Sequence, residues 1–227
     1  MKRLVLGGLT ALLVVVAAVL WLRDAPEEWS VVLLVAEPPS GALLPPPNAP
    51  QSTPRLNRLA GAGVRLPLAS PTRDLPQWLD LVLGDTPERG VMPAFEQRGW
   101  RRVIASEVAL PDPIRGRFSA VGDASRGGVV DVTLQTLDDA RVTRAQPALV
   151  VLVSRPGTSD GWDRTVSRLL DGAAPRLTLS RTLVVVVDRG GRSAMLIAPD
   201  RPRELGVTGN MGPEELGAEL ARWLKLQ

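Results

Sequence analysis

The sequence contains no histidine, no cysteine and no tyrosine, and only two phenylalanines among its 227 residues. Without imidazole, zinc sites of the His-carboxylate type and Ser-His-Asp catalysis are both excluded. Without cysteine there is no disulfide, so packing alone must stabilise the fold. With these groups missing, little titrates between the carboxylates and the arginines. A small excess of base therefore drives the isoelectric point to about 10.4 although the net charge is only +3. Lys2 and Arg3 account for two of those three charges, so the basicity is arithmetic rather than a nucleic-acid footprint. No basic stripe with interleaved aromatics points to nucleic acid either. The glycine pairs at 7–8, 127–128 and 190–191 form neither G-x-G-x-x-G nor G-x-x-x-x-G-K-[ST], which leaves a nucleotide site without support.

What the chain does have is a long apolar run. Residues 4–22, LVLGGLTALLVVVAAVLWL, follow Lys2 and Arg3 and are long enough to cross a bilayer as one helix. Trp21 and Leu22 run directly into Arg23 and Asp24 with no A-x-A cleavage site after the apolar run, which favours an uncleaved anchor over a signal peptide. The positive flank holds the amino terminus in the cytoplasm. The expectation is a single-pass membrane protein: an anchor over 1–23, a connector over 24–30, and one extracytoplasmic α/β domain over 31–227. That length suits one domain with a substantial core.

Within the domain, five apolar runs lack alternation: VVLLVA from Val31, RRVIAS from Arg101, ALVVLVS from Ala148, TLVVVV from Thr182 and AMLIA from Ala194. Such runs fit strands covered on both faces, as in a parallel sheet. Helical patterns lie between them. Thr53-Pro54 reads as an N-cap and first-turn proline ahead of Leu56, Leu59 and Ala60, with glycines 61 and 63 as the stop. Asp160 reads as the cap of a helix with Trp162, Val166, Leu169 and Leu170 on one face. Gly212-Pro213 opens a last helix striped by Leu216, Leu220, Trp223 and Leu224. Strands alternating with helices predict an α/β layer fold. The proline-rich stretch 37–52 reads as a loop, and the polar, glycine-rich region 110–128 yields no assignment.

In this order the pieces resemble the sulfatase branch of the alkaline phosphatase superfamily. VVLLVAE resembles that family's first strand, which ends on a metal-binding aspartate. TPRLNRLAGAGVRL is similar to "TPNLDRLAAEGVRF", and LVLGDTPERGV to "LLTGxYPxxHGV" with one residue fewer. FEQRGWRRVIAS resembles "LxxAGYRTA", QPALVVLVS resembles "KPFFLYL", RTLVVVVDRGG resembles "TLVVVTSDHGE", and SAMLIAPD resembles "VPLIIRxPG". The likeness covers most of residues 31–199, and the stretch 53–63 is its most specific part. It implies an alkaline-phosphatase-like, mostly parallel sheet flanked by helices, and a site for metal-assisted hydrolysis of sulfate or phosphate esters.

Measured against that resemblance, the chemistry is depleted. The family's C/S-x-P-S-R nucleophile window falls on Asp74-Leu75-Pro76-Gln77-Trp78, which has neither the hydroxyl or thiol nor the arginine. Ser70 and Thr72 are the nearest hydroxyls. Asp74 is read more simply as the cap of the short helix that follows. Glu37 takes the first metal-ligand position, the second falls near Ala42 with no acid, and Asp188 stands at the "DHG" aspartate with Arg189 as the next residue. Asp188 and Arg189 are expected to form a strand-end turn and a local ion pair, while Glu37 is either a vestigial ligand or a solvent-facing carboxylate. The expectation is therefore a sulfatase-like pseudoenzyme with no catalytic residue, no metal and no cofactor, acting as a binding or structural partner, with a protein partner possible in principle. The alternative is a divergent ester hydrolase with an all-oxygen calcium or magnesium site around Glu37, Asp74 and Asp188.

Overall fold

The computed structural model describes residues 29–37, 42–44, 53–69, 73–126, 128–198 and 210–225. The apolar run 4–22, Ser70 and Thr72 lie outside the described residues. Among the described residues no helix is long and apolar enough to cross a membrane.

Among the described residues seven strands form one sheet: β1 (Ser30–Ala36), β2 (Val64–Pro67), β3 (Arg101–Ser106), β4 (Ala120–Asp123), β5 (Ala148–Ser154), β6 (Thr182–Asp188) and β7 (Ser193–Ile197), in the order β2-β7-β6-β1-β5-β3-β4. The strands β6, β1, β5, β3 and β4 run parallel to one another, and β7 is antiparallel to both of its neighbours. Among the described residues seven α-helices flank the sheet: α1 (Pro54–Ala62), α2 (Leu75–Leu83), α3 (Met92–Gln97), α4 (Asp112–Arg115), α5 (Val129–Asp139), α6 (Ser159–Ala173) and α7 (Pro213–Lys225).

The central runs lack alternation because both of their faces are covered. Val31, Leu33 and Val35 pack with Leu79 of α2, Phe95 of α3 and Leu216 of α7. Val32 and Leu34 point the other way, into a layer with Leu56 of α1, Leu137 of α5 and Trp162 of α6. Every residue of β1, β5 and β6 is buried. Burying each such aliphatic side chain contributes about 1.5–3 kcal/mol, and Leu33→Ala would cost about 2–5 kcal/mol. On the α2 side one glycine sets the helix spacing. A β-carbon on Gly217 would lie 2.7 Å from the carbonyl of Val82 and 2.6 Å from that of Arg89, so α7 reaches the end of α2 only without a side chain there.

Several expectations about helix ends are corrected. Thr53 stands at the N-cap position of α1 with Pro54 in the first turn and Gly63 ends the helix, as expected, but the buried Thr53 hydroxyl makes no hydrogen bond. The cap of α6 is Thr158, whose hydroxyl accepts from the Gly161 N–H at 3.1 Å, while Asp160 pairs with Arg164 in the first turn. The region 110–128 contains α4 and the edge strand β4, and Val64–Pro67 forms an additional strand, β2. Both extra strands are four residues long, too short for a periodicity signal.

Candidate functional site

The parallel strands β1 and β6 are in register, with Ala36 beside Asp188, so Glu37 and Arg189 leave the sheet together at its carboxyl end. This is where open α/β sheets bind ligands. The Arg189 N–H donates to the Ala36 carbonyl at 3.2 Å, which continues the ladder one residue past β6 and fixes both side chains.

Asp188 is fully buried. One carboxylate oxygen accepts from the backbone N–H groups of Leu43 (2.6 Å) and Leu44 (2.9 Å), and the other from the N–H of Gly191 (2.8 Å). The carboxylate thus ties residues 43–44 to the β6–β7 turn, and its buried charge is offset by oriented amide dipoles. Space in front of it is closed: a β-carbon on Gly191 would sit 2.2 Å from Asp188 Oδ2 and 2.9 Å from Ala42 Cβ. Arg65 on β2 feels the charge of Asp188. Burial lowers its pKa below the usual guanidinium value, and the charge of Asp188 works in the opposite direction.

The expected pair between Asp188 and Arg189 does not form. Arg189 turns to Glu37 instead: Nη1 donates to Glu37 Oε2, Nη2 donates to the Arg73 carbonyl at 2.7 Å, and the guanidinium stands 5.6 Å from the centre of the Trp78 ring. The Arg189 side chain is 5% exposed and that of Glu37 31%, so Glu37 is only partly in solvent and is held by an ion pair. The reason is geometric. Successive residues on a strand point to opposite faces, so neighbouring side chains diverge, while Glu37 on the adjacent strand end faces the same way as Arg189. Arg73 extends the network, pairing through its own side chain with Glu214 in the first turn of α7.

Asp74 lies outside this network. Its carboxylate accepts from the Gln77 N–H at 2.8 Å and caps α2. The structure brings Glu37 and Arg189 together and sets Asp188 apart as a backbone acceptor. The residues that sequence reasoning missed are Arg73, whose carbonyl holds Arg189, and the N–H donors of Leu43 and Leu44. No spacing rule marks a carbonyl or an amide as a partner.

The sulfatase resemblance implies a divalent metal here, and the residues present do not fit one. Both oxygens of Asp188 are occupied by N–H donors, whose positive ends a cation would have to displace. Oε2 of Glu37 is taken by the Arg189 guanidinium. Among the described residues no group of three or more His, Cys, Asp or Glu side chains could hold a metal ion.

No protein-family model matches the chain, and neither does any curated protein sequence. Solved structures do match it. A protein in the alkaline phosphatase superfamily from Vibrio parahaemolyticus aligns with a TM-score of 0.53 at 12% identity, over 78% of this chain and 62% of that one. Ps i-CgsB aligns with TM-scores of 0.60 alone and 0.58 in complex with k-i-k-neocarrahexaose, each at 12% identity over 88% of this chain and 72% of that one. The chain has an alkaline-phosphatase-like fold. At this identity the likeness shows the fold alone, and the chain spans less than two thirds of the Vibrio protein. Within the alkaline-phosphatase-like frame, the carboxyl ends of β1 and β6 hold an arginine–glutamate pair and a capped carboxylate.

Proposed function

We propose that the chain is a membrane-anchored, extracytoplasmic sulfatase-like pseudoenzyme that acts as a binding or structural partner. The observation that carries this reading is the state of the three acids at the positions the resemblance assigns to chemistry. Asp188 is saturated by three backbone N–H groups, Glu37 is taken by Arg189, and Asp74 caps α2. A guanidinium on Glu37 supplies positive charge where a metal would, but it has no open coordination position and cannot activate water. With no histidine anywhere, no imidazole base can substitute. The anchor at 4–22 supports a place at the membrane, with the domain outside the cytoplasm.

The test uses the full-length protein in detergent. Aryl sulfate and aryl phosphate are offered with calcium, magnesium, manganese or zinc, and bound metal is measured by elemental analysis. The expected result is no turnover above the buffer rate and metal well below one equivalent. Stoichiometric metal together with turnover that disappears on Glu37→Gln or Asp188→Asn would overturn the reading and establish a divergent hydrolase.

A further inference from the structure

The amino-terminal edge of the sheet carries a cluster of exposed arginines, whereas at the carboxyl ends of β1 and β6 the cation Arg189 is buried and paired. Strand starts are aligned there: Ser30 pairs with Thr182, Val31 with Leu149, and Arg101 with Ala148. The loops entering these strands carry Arg98 and Arg101 before and at the start of β3, Arg141 and Arg144 before β5, and Arg181 before β6. All five are exposed, and none forms an ion pair among the described residues. Arg144 is held in place by donating from Nε and Nη2 to the Ala174 carbonyl at 3.1 and 2.6 Å. Together with Arg181, Gln146 and Thr178 it lines a small cavity that opens beside Ser30.

Ser30 is where the chain arrives from the apolar run. Only seven residues, 23–29, separate Leu22 from it, and fully extended they reach at most about 25 Å. If the run spans the bilayer, this edge is the one the connector holds near the lipid surface, and the parallel strands point their carboxyl ends away from it. Carboxylates are present as well. Asp138 is paired with Arg176, Asp139 is exposed, and the connector carries Asp24, Glu27 and Glu28 alongside Arg23. They offset part of the edge's charge and leave an excess of cation.

We propose that this edge is a headgroup-binding face on which Arg101, Arg144 and Arg181, flanked by Arg98 and Arg141, engage the phosphates of anionic phospholipids in the anchoring membrane. Guanidinium groups suit this partner because they donate in a fork to phosphate oxygens. A connector of at most about 25 Å lets the edge approach within the roughly 8–10 Å over which surface charge acts at physiological salt. The proposal rests on the membrane reading of residues 4–22. It orients the domain: the β1/β6 carboxyl end faces outward, toward a partner in the compartment, rather than toward lipid.

Absence of cysteine allows a direct test, because Ser180→Cys at this edge and Ser125→Cys at the carboxyl end each place a single labelling site in the full chain. Both positions are exposed. Labelled full-length protein is reconstituted in nanodiscs of phosphatidylcholine with or without phosphatidylglycerol, and quenching by a headgroup-attached quencher is measured. The expected result is strong quenching at position 180 that grows with phosphatidylglycerol, falls in high salt, and falls in the Arg101→Gln/Arg144→Gln/Arg181→Gln variant, with position 125 unaffected throughout. Should carbonate extraction release the full chain, flotation with phosphatidylglycerol vesicles reads the edge alone, and each arginine removed should weaken binding about fivefold. Equal quenching at 180 and 125, or quenching at 180 that ignores both phosphatidylglycerol and the arginine substitutions, would overturn the proposal. Carbonate extraction reads the anchor separately. Release of the full chain would defeat the membrane reading, and arginine-dependent, salt-sensitive flotation would then still support the lipid-binding edge.

Discussion

At the carboxyl ends of β1 and β6 the charges are settled inside the domain. Asp188 is enclosed by three N–H groups, Arg189 rests on Glu37, and Arg73 reaches Glu214. At the amino end of the same sheet, Arg101, Arg141, Arg144 and Arg181 stand exposed with no ion pair among the described residues. The strands connecting the two ends are alike, uniformly apolar and buried, so the contrast lies in the loops. A charge satisfied by its own fold is unavailable to a ligand, whereas one left to solvent can still meet a partner. The end at which α/β sheets ordinarily bind their ligands has here become a lock that holds loops together.

The largest test of that lock is Asp188→Ala. It would leave the N–H groups of Leu43, Leu44 and Gly191 without an acceptor in a buried setting, and each orphaned donor costs about 1–3 kcal/mol. Because the three act as one unit their costs do not simply add, and a loss of about 3–5 kcal/mol in urea unfolding is expected. Asp188→Asn should fall between, since its amide keeps one acceptor oxygen but turns an NH2 group toward a donor. The local ion pair expected from the sequence would, if exposed, have made Asp188→Asn cost only on the order of 1 kcal/mol. A change under 1 kcal/mol for Asp188→Ala would show that the carboxylate does not hold the 43–44 segment.

Next in size is the asymmetry within the Glu37–Arg189 pair. Glu37→Gln leaves a guanidinium that is 5% exposed with only the Arg73 carbonyl and the Trp78 face for company, and should cost about 2–3 kcal/mol. Arg189→Met removes the buried charge itself, leaves a carboxylate that reaches water, and places an apolar side chain against Trp78, so about 1 kcal/mol is expected. The reverse order in unfolding experiments would mean that Arg189 is held chiefly by Trp78 and the Arg73 carbonyl, not by Glu37.

Much of this frame was legible in the sequence. The five unalternating runs begin within one residue of the five long strands, because burial on both faces writes itself directly into composition. The sites at Glu37 and Asp188 were legible as positions but not as partners. Period-two geometry separates Asp188 from Arg189, and only the strand order puts Glu37 beside Arg189, which adjacency in the chain cannot express. Asp74 was legible as a cap because capping is a local event, settled within three residues. Arg73 was not legible as a partner, since its contact runs through a carbonyl.

Asp74→Ala measures the part of this end that is local. Loss of the Gln77 N–H acceptor at the start of α2 should cost about 1 kcal/mol, with Glu37 and Arg189 unaffected. If Asp74→Ala and Glu37→Gln together cost clearly more or less than their sum, the cap and the ion pair are coupled through Arg73, which lies between them.

The smallest effect belongs to Glu214, at the rim of the network. Its hydrogen bond from Arg73 lowers its pKa below the ordinary glutamate value, with its own backbone N–H acting in the same direction and burial opposing. A carboxyl group whose folded pKa lies below its unfolded value stabilises the fold above the unfolded value, and loses that stabilisation as pH falls through the folded one. Because half of the side chain is exposed, the pair is solvent-screened and contributes a few tenths of a kcal/mol at neutral pH. Glu214→Gln should therefore lower stability slightly at pH 7, and the difference from the unsubstituted protein should vanish as pH drops below about 4. A difference that persists undiminished at pH 3 would assign the role of Glu214 to packing or helix capping at the start of α7, and would detach Arg73 from the charge network that closes the carboxyl end.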